Sequence, residues 1–240
     1  LNEATEGTLL NGRVRYRQFA TGHRSGFEPV LLAAAVPARP GARVLEAGTG
    51  AGAALLCLAA RVPGVAGVGV EIDPALAGLA NENFSINGLN GISAMADDIR
   101  KLNAGEKFDH AMANPPWHDA AGTASPDARR ALAHQAGDEL LADWVGAMAA
   151  ALQPRGSLTL IIPAAMLTRA TAALLGTGCG GISIFPLWPR AGQPAGPMII
   201  SARKGGKSPD RLLPGLILHD DSGITPAAQA VLRDGAPLVV

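Results

Sequence analysis

Short apolar runs and longer amphipathic stretches take turns along this chain, and their order predicts an architecture. Residues 43–47, 66–70, 92–96, 109–113, 157–162, 181–185 and 197–202 are brief apolar segments bounded by polar or turn residues, and read as strands. Between them, 51–62, 74–87, 138–152 and 164–175 carry helix-length apolar patterns, and 28–36 precedes the series as a further helix. Asp73 is a good N-cap, with Pro74 at the first helical position, and Pro154-Arg155-Gly156 stops the helix at 138–152. Strands alternating with helices predict a parallel sheet covered on both faces. The last two strands lack an intervening helix, so one of them should run antiparallel. The expectation is an α/β fold: a Rossmann-like, doubly wound, seven-stranded, mostly parallel sheet with one antiparallel strand. An N-terminal β-hairpin precedes it, with Thr8–Leu10 and Arg13–Phe19 flanking Asn11-Gly12. Residues 1–40 should form this hairpin and a helix packed on the core, 41–205 the main domain, and 206–240 an irregular tail with a short helix at 226–233.

Composition narrows the picture. At 240 residues and 48% hydrophobic the chain can bury a sizeable core, yet no apolar run reaches the ~18 residues that would span a membrane. Residues 1–6 have neither the basic nor the apolar region of a secretory leader, and a cytoplasmic protein is expected. The charges balance, 20 basic against 20 acidic, so overall charge does not announce a polyanionic partner. Cys57 and Cys179 read as buried, reduced thiols. The five histidines, His23, His110, His118, His134 and His219, have no metal-ligand spacing, and no metal is expected.

The chemistry concentrates at strand ends. Glu46-Ala47-Gly48-Thr49-Gly50-Ala51-Gly52 joins the first core strand to its helix, a position where glycine loops receive nucleotide-like ligands. A dinucleotide loop is Gly-x-Gly-x-x-Gly, whereas here the third glycine comes one residue early. Glu46 is unfavourable beside a pyrophosphate and favourable beside a cationic amino-acid and sulfonium ligand, so S-adenosylmethionine is the expected cofactor. Glu71 ends the second strand, where a carboxylate accepts ribose hydroxyls, and Ile72 follows it. Asp97-Asp98 ends the third strand. Asp98, next to apolar Ile99, is the expected partner of the cofactor's adenine, with Asp97 the alternative.

Asn114-Pro115-Pro116-Trp117 follows the fourth strand. The prolines stiffen the turn, and Pro115 holds Asn114 extended. The Asn114 side-chain oxygen and the Pro115 carbonyl form a pair of acceptors suited to an exocyclic amine, and Trp117 a surface on which its ring can stack. His118 is a candidate substrate contact. Arg13, Arg15 and Arg17 alternate on one strand face, either as a solvated edge or as a phosphate-contacting strip. Arg203, Lys204, Lys207 and Arg211 form a second basic group.

Taken together, the glycine loop, Glu71-Ile72-Asp73 and Asn114-Pro115-Pro116-Trp117 resemble the class I S-adenosylmethionine-dependent methyltransferases that modify exocyclic or amide nitrogens. With Arg15–Phe19 and the segment 24–33 included, residues 8–205 are more similar to the bacterial tRNA(Val) adenine-N6-methyltransferase-like family. The resemblance implies a cytosolic enzyme that methylates adenine N6 in tRNA, its oligomeric state open between monomer and weak dimer. Glu46, Gly48, Thr49, Gly50, Gly52, Glu71, Ile72, Asp98 and Asn114 would line the cofactor. Asn114, Pro115, Pro116 and Trp117 would form the catalytic turn, and Trp117, His118, Arg15 and Arg17 would meet RNA. Protein glutamine and guanine N2 of ribosomal RNA are alternative substrates of the same motif. Two departures stand out: Trp117 replaces the usual Tyr or Phe, and Glu28 stands where the family often has Asp.

Overall fold

The computed structural model describes residues 3–21, 26–102, 105, 107–116 and 138–240. The seven expected core strands are β3 (Arg43–Ala47), β4 (Ala66–Glu71), β5 (Ile92–Ala96), β6 (Phe108–Ala113), β7 (Leu152–Pro163), β8 (Cys179–Trp188) and β9 (Pro197–Lys204). β3 to β7 pair in parallel in the order β5-β4-β3-β6-β7, and β9 lies antiparallel between β7 and β8. β7 shows why the centre is parallel and covered: Leu158, Leu160, Ile161 and Ile162 are all buried, with no alternation to a wet face.

Two apolar clusters fill the two faces. One joins residues of α1 (Glu28–Ala35), α2 (Ala53–Arg61) and α3 (Pro74–Ile86). The other is built on α4 (Asp138–Ala151) and α5 (Leu167–Gly176). The Asp73 side chain accepts a hydrogen bond from the Ala75 amide at 2.8 Å and caps α3. Arg61 donates to the carbonyls of Ala33 and Val36, closing the C-terminal end of α1 where the helix dipole favours a cation.

The hairpin is present as β1 (Ala4–Leu9) and β2 (Val14–Phe19), but its turn is longer than a two-residue Asn-Gly turn. Leu9 pairs with Val14, and Leu10, Asn11 and Gly12 all have positive φ. Leu10 is drawn into the core, while the Arg13 side chain reaches the Asp234 carbonyl, so Arg13 leaves the strand and only Arg15 and Arg17 share its face.

Residues 206–240 were expected to be irregular and are largely built into the fold. β10 (Arg211–Leu212) and β11 (Leu216–Ile217) each add a parallel bridge to β8, enlarging the main sheet to nine strands among the described residues. β12 (His219–Asp220) and β13 (Gly223–Ile224) pair separately, and α6 (Pro226–Leu232) joins the α1–α2 cluster. Pro214-Gly215 lies between the two bridges, and Leu216 and Leu218 are buried beyond it. Three of the four residues of the second basic group are engaged. Lys204 donates to the Ala149 and Leu152 carbonyls at the end of α4, Arg203 to the Arg155 carbonyl, and Arg211 to the Ser183 hydroxyl.

Candidate active site

One row of strand ends carries most of the residues singled out in the sequence. Ala47 at the end of β3 is in register with Val70 of β4 on one side and Ala113 of β6 on the other. Gly48, Glu71 and Asn114 therefore emerge side by side, about 5 Å apart strand to strand. The chain leaves β3 toward β4 and β5 in one direction and returns to β6 and β7 in the other. Gly48 and Asn114 thus flank the switch point, where open α/β sheets bind ligands.

The glycine loop is braced from below. Glu46 is buried, and its carboxylate receives the Thr49 hydroxyl at 2.6 Å. Burial pushes the Glu46 carboxyl up to about 8, opposed by hydrogen bonds from Thr49 and from the Leu55 amide in the first turn of α2, with the nearby Glu71 adding to the rise. Glu46 thus faces its own loop and the N-terminus of α2, so any charge it lends a ligand acts through space.

Glu71 is also buried, with Oε2 accepting from the Gly50 amide at 2.9 Å and Oε1 from the Asp73 amide at 3.0 Å. Burial raises its pKa, and the amides of Asp73 and Gly50 pull it down. Each of its oxygens keeps lone-pair capacity for a further donor. Ile72 beside it is 57% exposed, a large apolar side chain standing open at the strand end.

The three loop glycines, all at positive φ, serve different purposes. A Cβ at Gly48 would come within 2.7 Å of the Trp144 ring on α4, and one at Gly52 within 2.7 Å of Phe84 on α3. At Gly50 a Cβ would meet nothing within 4 Å. Only Gly50, then, leaves its side toward open space, while the other two admit aromatic neighbours. Trp144 is a wall of the site that the sequence did not flag, because one indole in an amphipathic helix reads as core. Gly48→Ala should lower the urea midpoint by an amount equivalent to roughly 1–3 kcal/mol, combining left-handed strain with overpacking. Trp144→Leu in the same background should restore only the packing share.

Asp98 caps the single-turn helix Ile99–Lys101, and both its oxygens are taken by Arg100, with Nη2 at 2.6 Å from Oδ2. This pair, with the guanidinium foremost, holds the Asp98 carboxyl below its usual range. Asp97 lies in the same turn and accepts from the Asp98 amide. Arg15 and Arg17 are about half exposed and share Glu6, at 2.8 and 3.3 Å. Asn114 and Pro116 are partly exposed and Pro115 is buried. The expected stacking and contact residues Trp117 and His118 lie outside the described residues, as does the expected loop at 119–127.

Residues 28–171 match the family model of the methyltransferase small domain, and the chain belongs to that family. It is a methyltransferase, and its methyl donor is S-adenosylmethionine. The cleft suits this donor: an open face at Gly50, a braced carboxylate at Glu71 and an exposed apolar residue at Ile72 stand together. Among its relatives is the tRNA1(Val) (adenine(37)-N6)-methyltransferase of Bacteroides thetaiotaomicron, 29% identical over 172 residues, covering 69% of this chain and 72% of the relative. The enzyme of that name from Dickeya chrysanthemi is 28% identical, with 94% of each chain covered. In fold, the chain is similar to a predicted O-methyltransferase of Agrobacterium tumefaciens, protein Atu636, with a TM-score of 0.74, 24% identity, and 89% of this chain and 99% of that one covered. It is also similar to the Thermus thermophilus 16S rRNA N2 G1207 methyltransferase, with a TM-score of 0.59, 22% identity, and 85% and 51% covered.

Proposed function

We propose that this protein transfers a methyl group to an exocyclic amine, adenine N6 of tRNA, at the turn that begins with Asn114. The observation that carries the reading is the register of Ala47 with Ala113, which sets the cofactor loop beside Asn114. Bound in the cleft, S-adenosylmethionine supplies an electrophilic methyl on a sulfonium sulfur. Glu71 would accept the ribose hydroxyls, Ile72 would pack on the adenine of the cofactor, and Gly48, Thr49, Gly50 and Gly52 would border its methionine part. Asp98 would receive the cofactor's amino group once Arg100 turns away, and Arg100, 46% exposed, can swing its guanidinium toward solvent.

An adenine amine is a weak nucleophile because its lone pair is delocalised into the ring. The Asn114 oxygen and the Pro115 carbonyl accept its two hydrogens and favour a tetrahedral nitrogen, whose lone pair then points toward the methyl. When bound, the donor would supply the methyl from its C–S bond, and the proton released by the amine would pass to solvent. Catalysis rests on positioning, so no strong base is required. The target base leaves its stack to reach this turn, where Trp117 stacks on it and His118 borders it. Arg15 and Arg17 contribute phosphate contacts, and a tRNA substrate makes the protein cytoplasmic. The names of the tRNA-modifying relatives support this choice of substrate.

Transfer of labelled methyl to total RNA, total protein and DNA, run in parallel, tests the reading. Label should enter RNA, and nuclease digestion should return it as N6-methyladenosine. Label in protein alone would replace RNA with a glutamine amide as substrate, and N2-methylguanosine would change the base.

A further inference from the structure

β2 is held in an unusual way. β1 covers one edge of it, and two carboxamides, of Asn83 on α3 and of its C-cap Asn87, cover the other. The Arg15 amide donates to Asn87 Oδ1 at 2.9 Å, and Asn87 Nδ2 donates back to the Arg15 carbonyl at 2.7 Å. Arg17 and Asn83 repeat the exchange at 2.9 and 2.8 Å. Each carboxamide therefore imitates the donor and acceptor of a neighbouring strand residue. The spacing permits it, because four residues of helix advance about 6 Å and two residues of strand about 7 Å.

The two asparagines differ in where their remaining proton goes. Asn87 Nδ2 donates within its own helix, to the Asn83 carbonyl at 2.8 Å. Asn83 is fully buried at 0% exposure, and its Nδ2 donates to the Ala51 carbonyl at 2.9 Å. Ala51 lies between Gly50 and Gly52. Asn83 thus ties the hairpin directly to the glycine loop, whereas Asn87 holds the hairpin alone.

We infer that Asn83 is a positioning residue that fastens the N-terminal hairpin to the cofactor loop, so that the binding geometry of the loop depends on the hairpin. The inference rests on the assignment of the glycine loop to S-adenosylmethionine. Arg15 and Arg17 are displayed on the same hairpin, so an RNA strand engaging them acts on an element joined to that loop. Coupling of this kind is reciprocal: the factor by which RNA changes the cofactor's affinity is the factor by which the cofactor changes that of RNA.

Calorimetric titration of the whole protein with S-adenosylmethionine separates the possibilities. Asn83→Ala should weaken binding by roughly tenfold, the effect of losing one buried hydrogen bond that sets the site. Asn87→Ala, which also loosens the hairpin, should change it less than about twofold on the same scale. Asn83→Ala leaves backbone groups of Arg17 and Ala51 unpaired and can fail to fold. Amide hydrogen exchange on the unmodified protein supplies the second measurement. Saturating S-adenosylmethionine should slow exchange of the Arg17 amide, held by Asn83, more than that of Arg15, held by Asn87. Equal losses in the two variants, or an Arg17 amide indifferent to the ligand, would overturn the inference. Glu71→Ala serves as the control for the underlying assignment: if it binds S-adenosylmethionine as the unmodified protein does, the cofactor assignment fails instead.

Discussion

Asn114→Ala should bind S-adenosylmethionine with nearly unchanged affinity and transfer almost no methyl. Asn114 stands at the end of β6, one strand spacing from Gly48, and its carboxamide makes no hydrogen bond to any described residue. Its removal should cost the fold little, since it is a partly exposed side chain at a strand end. What disappears is one of two acceptors aimed at the amine, and loss of a preorganised polar group at a reacting centre lowers kcat by roughly 10²–10³. The KM for RNA should move little, because the interaction counts mainly where the nitrogen turns tetrahedral. Asn114→Asp keeps an acceptor and should fall between the unmodified protein and the alanine variant. Single-turnover transfer and calorimetry on the same preparations check both halves. An alanine variant that methylates at the normal rate would remove Asn114 from the chemistry and leave the Pro115 carbonyl as the sole candidate on this turn.

The positions of the core strands along the chain were legible because buried parallel strands are apolar throughout and the helices between them are long enough to be distinct. The strand-end motifs were legible for a related reason: a glycine loop and a Pro-Pro turn interrupt an apolar pattern abruptly. What the sequence concealed depends on distant partners. Gly48 and Gly52 look like concessions to a ligand, and only the packing of Trp144 and Phe84 reveals the other demand on them. Glu46 looks like a charge offered to a cationic ligand, yet its carboxylate is bonded to Thr49. The helix at Pro226–Leu232 was legible, but the attachment of the tail to the sheet was not, because two-residue bridges have no period to detect. Asn83 and Asn87 did leave a trace. Asn83, a weak helix former inside α3, and its C-cap Asn87 lie four residues apart on one face, where both meet the backbone of β2.

Stability should fall as pH rises from about 4.5 toward 8, and Glu46→Gln should remove much of that fall. Glu46 is the source, because burial lifts its carboxyl from 4.5 to about 8 in the folded state. In this window the folded protein holds a proton that the unfolded chain has released, so unfolding becomes easier as pH climbs and levels off above the folded value. Each pK unit is worth about 1.4 kcal/mol, so the total loss from this one group is on the order of a few kcal/mol. Glu71 is raised as well and contributes in the same direction. Asp98, held low by Arg100, acts oppositely and only in acid, below the range in question. Glu46→Gln keeps the side chain's shape and an acceptor oxygen without a titrating group, so urea midpoints of the variant should depend far less on pH across this window. The same substitution separates two roles for the carboxylate. A cationic ligand in the cleft favours ionised Glu46 and lowers its pKa, so S-adenosylmethionine should bind more tightly to the unmodified protein as pH rises toward about 8. In the Glu46→Gln variant that dependence should be much weaker. If stability loses its pH dependence while cofactor affinity keeps its own, Glu46 braces the loop without contributing charge to the ligand.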